Sequence, residues 1–247
     1  MLALPYQQLD EISPAQWTAL AGKRIFFGHK SVGQNIIEGL QDVMGSHPQL
    51  MLDIRETTDA KDLAKPVFAH ASLGMNKAPL IKITAFRELL EGGLGDHLDI
   101  AFLKLCFVDI DHTTDIEELF VRYSEAVHFL NARFPRLKIV TFTVPLLSEP
   151  IGLKERAKKL LGRLPWEQAD NMKRNLYNDK LRAAFKDSLF DLAAYESAGP
   201  AGKRSHFVKD GKTYDLLNKA YTNDGGHLNR TGRQIVAIEL LKRLAAL

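Results

Sequence analysis

KRIFFGHKSVGQNIIEGLQDVM, residues 23–44, decides the fold. Its first seven residues form a short β-leaning run, and from Val32 onward Val32, Ile36, Leu40, Val43 and Met44 recur at helical spacing. A strand therefore passes sharply into a helix, which Gly45 is expected to stop. A strand feeding directly into an amphipathic helix is the repeating unit of a layered α/β protein, so the rest of the chain is read for further copies of it.

LMLDIRET, 50–57, is a second strand candidate. AHASLGMNKAP, 69–79, reads as a polar, glycine-containing loop opening a helix in which Ile83, Phe86 and Leu90 share a face and Gly92, Gly93 and Gly95 mark the end. IAFLKLCFVDI, 100–110, is apolar on both faces except at Lys104, as a central strand would be. Residues 113–134 then read as a helix, with Thr114 and Glu117 at capping-box spacing and Ile116, Leu119, Phe120, Tyr123, Val127 and Leu130 in one stripe. LKIVTFTVPLL, 137–147, is another buried strand, and strands separated by helices of this length argue for an open, mostly parallel sheet covered on both sides.

Residues 148–190 break the rhythm with two expected helices. From Lys154 to Lys186 ten Lys and Arg face four Asp and Glu, which reads first as a solvated helical face and second as a surface for an anionic substrate. NDGGHLNRTGRQIVAIELLKRL, 223–244, gives a glycine-containing loop and a terminal helix, with Thr231 and Gln234 at capping-box spacing and Ile235, Ile238, Leu241 and Leu244 facing the core. No repeat or linker-like run divides the 247 residues, so they read as one domain over 1–247 with a basic helical segment at 148–190.

With 45% hydrophobic and 26% charged residues the chain can build a large core, which excludes a disordered tail or a collagen-like fibre. Cys106 is the single cysteine, so neither a disulfide framework nor a cysteine metal cluster is expected. The net charge of +3 is too small to imply nucleic acid. No apolar run approaches the ~20 residues that cross a bilayer. MLALPYQQLD lacks a basic start and a long apolar stretch. The expectation is a soluble protein, cytoplasmic if this N-terminus is native and exported if a signal has been removed.

Ser31, at the strand-to-helix junction, reads either as a helix cap or as a nucleophile at the carboxyl edge of the sheet. Asp224 and His227 lie three residues apart in one loop. They read either as a carboxylate orienting a histidine base or as a glycine-rich turn with an exposed imidazole. His29, His70, His112, His128 and His227 are dispersed and show no HExxH spacing. A meeting of His29, His70, Asp109, Asp111 and Asp224 at strand ends is the one conceivable metal set, and no metal is expected. Neither GxxxxGKS/T nor GxGxxG occurs, and Gly33 permits only a close approach to a neighbour.

Taken together, FFGHKSVG, HASLGMN and DGGHLN resemble the SGNH/GDSL hydrolase superfamily, over nearly the whole chain from Lys23 to Leu244. The resemblance implies a flavodoxin-like three-layer α/β sandwich with a five-stranded, mostly parallel sheet. It implies Ser31 as nucleophile, with His29-Lys30 where the family has Gly-Asp, and Asp224 and His227 as its late Asp-x-x-His pair. Gly74 takes the place of the family's oxyanion-hole glycine. The family's asparagine after the central strand has no counterpart in CFVDIDHTTD, 106–115.

Either Asn76 supplies that amide or Asp109 or Asp111 has changed the site's role. A carboxylate aimed at a developing oxyanion would oppose catalysis, so the expected donors are Asn76 and the backbone amides of Ser31 and Gly74, with His29, Asp109 and Asp111 as supporting groups. The implied function is a serine esterase that removes a small O-acyl group, acetyl by preference, from a carbohydrate or similar alcohol without a cofactor. A carbohydrate O-acyltransferase and a catalytically silent module binding polysaccharide or protein are the alternatives, and the sequence leaves the oligomeric state open.

Overall fold

The computed structural model describes residues 9, 11–47, 50–149, 166–200 and 202–247. β1 (Arg24–His29) lies inside a sheet with β2 (Ile54–Glu56), β3 (Val67–Ser72), β4 (Ile100–Leu103), β5 (Lys138–Phe142) and β6 (Leu189–Phe190), in the order β2-β3-β1-β4-β5-β6. Every pairing in it is parallel. The sheet has six strands where five were expected. The outermost, β6, is a two-residue piece that pairs with Thr141 and Phe142, too short to show alternation in the sequence. A separate antiparallel hairpin joins β7 (His206–Lys209) to β8 (Lys212–Asp215) through Asp210 and Gly211, both at positive φ as a tight hairpin turn requires.

Side chains along each strand alternate between two cores. Ile25, Phe27, Phe68, Phe102 and Phe142 face α1 (Pro14–Ala21), α2 (Ser31–Ser46), α6 (Leu192–Ser197) and α7 (Arg230–Ala245). Phe26, Ala69, Ala101, Leu103 and Ile139 face α3 (Pro79–Glu91), α4 (Ile116–Arg133) and α5 (Trp166–Ala184). On the first face, rings from four successive strands form a row: Phe27 to Phe102 is 4.8 Å, Phe102 to Phe142 is 4.9 Å and Phe142 to Phe190 is 4.7 Å between centroids. Burying such a ring is worth about 1.5–3 kcal/mol, so this row helps fix which strands are neighbours and explains why even two-residue β6 is held.

Several expected elements change. Residues 69–72 belong to β3 and the loop begins only at Leu73, because the polar His70 is buried against His29 and so interrupts an otherwise readable strand. The strand expected over 100–110 ends at Leu103, and that over 137–147 ends at Phe142. Both runs stay largely buried beyond those points because side chains replace the ladder: Asp109 takes the N–H of Cys106 and Arg174 donates to the C=O of Phe107 in the first, while in the second Asn178 pairs with the N–H and C=O of Val144 and Asn171 with those of Leu147. The second strand shrinks to Ile54–Glu56.

Helix ends move as well. α2 runs through Gly45 to Ser46. α4 is capped by Asp115, which accepts from the N–H groups of Glu117 and Glu118, and α7 by Asn229, which accepts from Gly232; a carboxylate and an amide at those positions outcompete Thr114 and Thr231. Within the basic segment, residues 150–165 lie outside the described residues. α5 is not simply a solvated face: Gln168, Asn171, Arg174, Asn175 and Asn178 are buried.

Candidate active site

From β1 the chain moves to β2 and β3 on one side, then crosses to β4, β5 and β6 on the other. In open α/β sheets a reversal of this kind leaves a crevice at the carboxyl ends of the central strands. The segments after β1, β3 and β4 carry Ser31, the Gly74–Asn76 loop and Phe107–Asp109 to that edge.

Ser31 is the first residue of α2. The cap position belongs to Lys30, which is extended and makes no side-chain cap bond, and the Ser31 hydroxyl has no partner among the described residues. The capping reading of Ser31 therefore fails, and its oxygen is uncommitted at a helix N-terminus whose first amide groups point outward. The turn is tight because α2 rests on the preceding strand. A Cβ at position 33 would lie 2.3 Å from the Cβ of His29, so only glycine allows the helix to start here.

Beneath that turn, His29 Nε2 and His70 Nδ1 are 3.1 Å apart, one ring nitrogen donating to the other. Burial, reinforced by His70 and Lys104, lowers the His29 pKa to about 3, and burial also lowers that of His70 against the opposing pull of Glu56. The two imidazoles thus pair in the neutral form. They are the only part of the conceivable metal set that comes together. Asp109, Asp111 and Asp224 each bind other groups, and no three His, Cys, Asp or Glu side chains among the described residues could hold a metal ion.

The late loop is rigid. Asp224 Oδ1 accepts from the N–H groups of Gly226 at 2.9 Å and His227 at 2.8 Å, and Oδ2 accepts from His227 Nδ1 at 2.7 Å. Burial raises the Asp224 pKa, but the two amides and the imidazole outweigh it and hold the carboxyl well below the usual carboxylate range. A charged acceptor at Nδ1 leaves the Nε2 lone pair of neutral His227 as the acceptor. The ring edge meets Phe107 at 5.5 Å and 73°. The loop is joined to α2 by Asn35, whose Oδ1 accepts from Leu228 N–H at 3.1 Å. Asn35 is four residues from Ser31, one turn along the same helix face, so the residue after His227 is tied to the face that begins with Ser31.

On the other flank, Leu73 N–H donates to His29 C=O at 3.0 Å, and Ser72 is in register with His29. Gly74 and Ser31 therefore each lie two residues beyond the paired ends of adjacent strands. Asp109 is buried and accepts from Lys82 Nζ at 2.6 and 2.8 Å, from Lys77 N–H at 2.9 Å and from Cys106 N–H at 2.6 Å. Lys82 Nζ also donates to Asn76 Oδ1 at 3.2 Å. Asp111 is exposed and folds onto its own turn, accepting from Thr113 and Thr114.

Sequence reading missed Lys82, Asn35 and the asparagines of α5. Lys82 had one signal, a lysine on the buried stripe of Ile83, Phe86 and Leu90. Asn171, Asn175 and Asn178 had another, since their spacing places them on one helix face, but the surrounding charge obscured it. Two buried titratable groups lie close by. Burial pushes the Glu196 carboxyl up to about 8 while its Oε1 accepts from Leu146 N–H. Burial lowers the pKa of Lys104, whose Nζ is 3.6 Å from Cys106 Sγ.

No family model matches the chain, and no curated protein matches it. Solved structures do match. A protein from Streptococcus pneumonia, provisionally described as a platelet activating factor, is 16% identical, covering 96% of this chain and 95% of its own, with a TM-score of 0.50. A protein from Parabacteroides merdae ATCC 43184, provisionally described as a GDSL-like lipase, is 13% identical over 90% of this chain and 95% of its own, with a TM-score of 0.53. The architecture is that of the GDSL/SGNH fold, at a sequence distance where the likeness is one of fold alone. No helix among the described residues is long and apolar enough to cross a membrane.

Proposed function

We propose that the protein is a serine esterase in which Ser31 is the nucleophile, His227 the general base and Asp224 the group that orients His227. One observation carries this reading. An imidazole held at Nδ1 by a carboxylate at 2.7 Å is followed by a residue pinned through Asn35 to the helix face that begins with an uncommitted serine hydroxyl.

Ser31 Oγ attacks the ester carbonyl as His227 Nε2 takes its proton, and Asp224 stabilises the imidazolium that results. The tetrahedral oxyanion is met by the backbone amides of Ser31 and Gly74 and by the Asn76 side chain. His227 then gives its proton to the leaving alcohol, and water, activated by the same histidine, releases the acid. No cofactor enters this scheme. The preferred substrate is a small O-acyl group, acetyl first, on a carbohydrate or similar polar alcohol, with transfer to a sugar hydroxyl as the variant chemistry of the same acyl-enzyme.

The exposed apolar side chains Met75, Leu80 and Ile81, at 60, 40 and 49% exposure beside Gly74, favour a second reading in which the acyl group is longer. A fluorophosphonate probe should label the parent and fail on folded Ser31→Ala and His227→Ala variants. Persistent labelling of Ser31→Ala would sink the assignment. Turnover of p-nitrophenyl esters of rising chain length then separates the two acyl readings, with a clear preference for long chains counting against acetyl.

A further inference from the structure

We propose that Lys82, held by Asp109, is a positioning residue that fixes the rotation of the Asn76 amide and so builds an oxyanion donor in place of an asparagine after β4. The inference rests on the esterase reading above. Lys82 and Asp109 are 1 and 0% exposed in their side chains, and their contact at 2.6 Å joins α3 to the segment after β4. Ammonium is a donor only, so the atom of Asn76 that faces Lys82 Nζ at 3.2 Å must be the carbonyl oxygen. That removes the twofold ambiguity of the amide and turns its NH2 group away from Lys82, with no partner among the described residues.

The surroundings make the arrangement stiff. Asp109 also accepts from Lys77 N–H, next in sequence to Asn76, so one carboxylate holds both the lysine and the loop that the lysine orients. Gly74 has φ +59, and a Cβ there would lie 2.8 Å from Lys82 Cγ and 3.0 Å from its Cα, so the loop is pressed onto the start of α3 at this point. The cation further polarises the Asn76 carbonyl, which strengthens its N–H groups as donors. An aspartate in the segment where an oxyanion donor is expected is thereby neutralised rather than aimed at the substrate.

A double-mutant cycle tests this, with kcat and KM for p-nitrophenyl acetate and the rate of fluorophosphonate labelling as readouts. Asn76→Ala is expected to lower kcat by about 100-fold with KM within twofold, as loss of one oxyanion donor does. Lys82→Met should produce a similar fall in the parent and almost none in the Asn76→Ala background, because Lys82 acts through Asn76. Lys82→Gln, which keeps a donor facing Asn76 without the charge, supplies a second cycle if Lys82→Met does not fold. It should cost less in the parent and again nothing without Asn76. A fall of equal factor in both backgrounds would mean that Lys82 acts only by supporting the fold, and would overturn the proposal while leaving the esterase reading intact. Absence of Ser31-dependent labelling in the parent would overturn both.

Discussion

Two carboxylates at the same edge of the sheet each accept four hydrogen bonds, and they do so in opposite surroundings. Asp224 lies in a turn with its side chain 57% exposed and accepts from two backbone amides, the Thr222 hydroxyl and an imidazole. Asp109 has no exposed side-chain surface and accepts from two backbone amides and twice from an ammonium group. Water can replace a lost partner at the first and cannot at the second, where an unpaired charge costs several kcal/mol. On the proposed reading the exposed carboxylate orients the base, whereas the buried one holds Lys82 and the Asn76 loop and leaves no room for water to take over if it is lost.

Asp224→Asn attacks the exposed member and should have the largest effect. The amide NH2 would face Nδ1 and force the proton of His227 onto Nε2, where a base is needed. A fall in kcat of about 10⁴-fold is expected, the size known for the equivalent change in serine proteases, with the thermal midpoint little changed. A fall below tenfold would remove Asp224 from the chemistry. Asp109→Ala attacks the buried member and leaves the Lys82 charge without its counter-ion and two backbone amides unsatisfied, so urea unfolding should show a loss of about 3–5 kcal/mol. A loss no greater than that of Asp224→Asn would break the contrast.

Glu196 sharpens the comparison because it is buried without a direct ion-pair partner among the described residues and its pKa is pushed up to about 8 by desolvation. A raised carboxyl pKa favours the folded state most below the unfolded value near ~4.3, and that contribution is lost as pH rises through about 8. Thermal midpoints of the parent and Glu196→Gln should therefore lie closest together near pH ~5, with the variant gaining on the parent as pH rises to ~8.5. Parallel curves over that range would show that Glu196 does not titrate there.

The layered architecture was legible because β1 and α2 are written without interruption from Arg24 to Met44, and the stripe of α4 is continuous. β3 was not legible, since its His70 is paired with His29, 41 residues earlier, and a pattern that counts polar residues as exposed places it in a loop. Local position marked Ser31, Asp224 and His227 only as candidates beside a capping and a turn reading, and the resemblance carried by FFGHKSVG and DGGHLN is what selected them. The Lys82–Asp109 contact spans 27 residues, and the tie from Asn35 to Leu228 spans 193, so neither leaves a local trace. Strong local caps misled in a simpler way: Asp115 stands next to Thr114 and takes the position that both could fill.

Asn171, Asn175 and Asn178 each grip one backbone residue at both its N–H and its C=O, respectively Leu147, Asp215 and Val144. Each residue added to a helix rotates all later side chains by about 100° around its axis. Inserting or deleting a single residue between Asn171 and Asn175 would put the first grip about 100° out of phase with the other two, so that all three could not be made at once. The stretch from Asn171 to Asn178 is therefore a fixed length, set by three backbone residues from two separate segments. The described end of the segment after β5 is held to that fixed ruler.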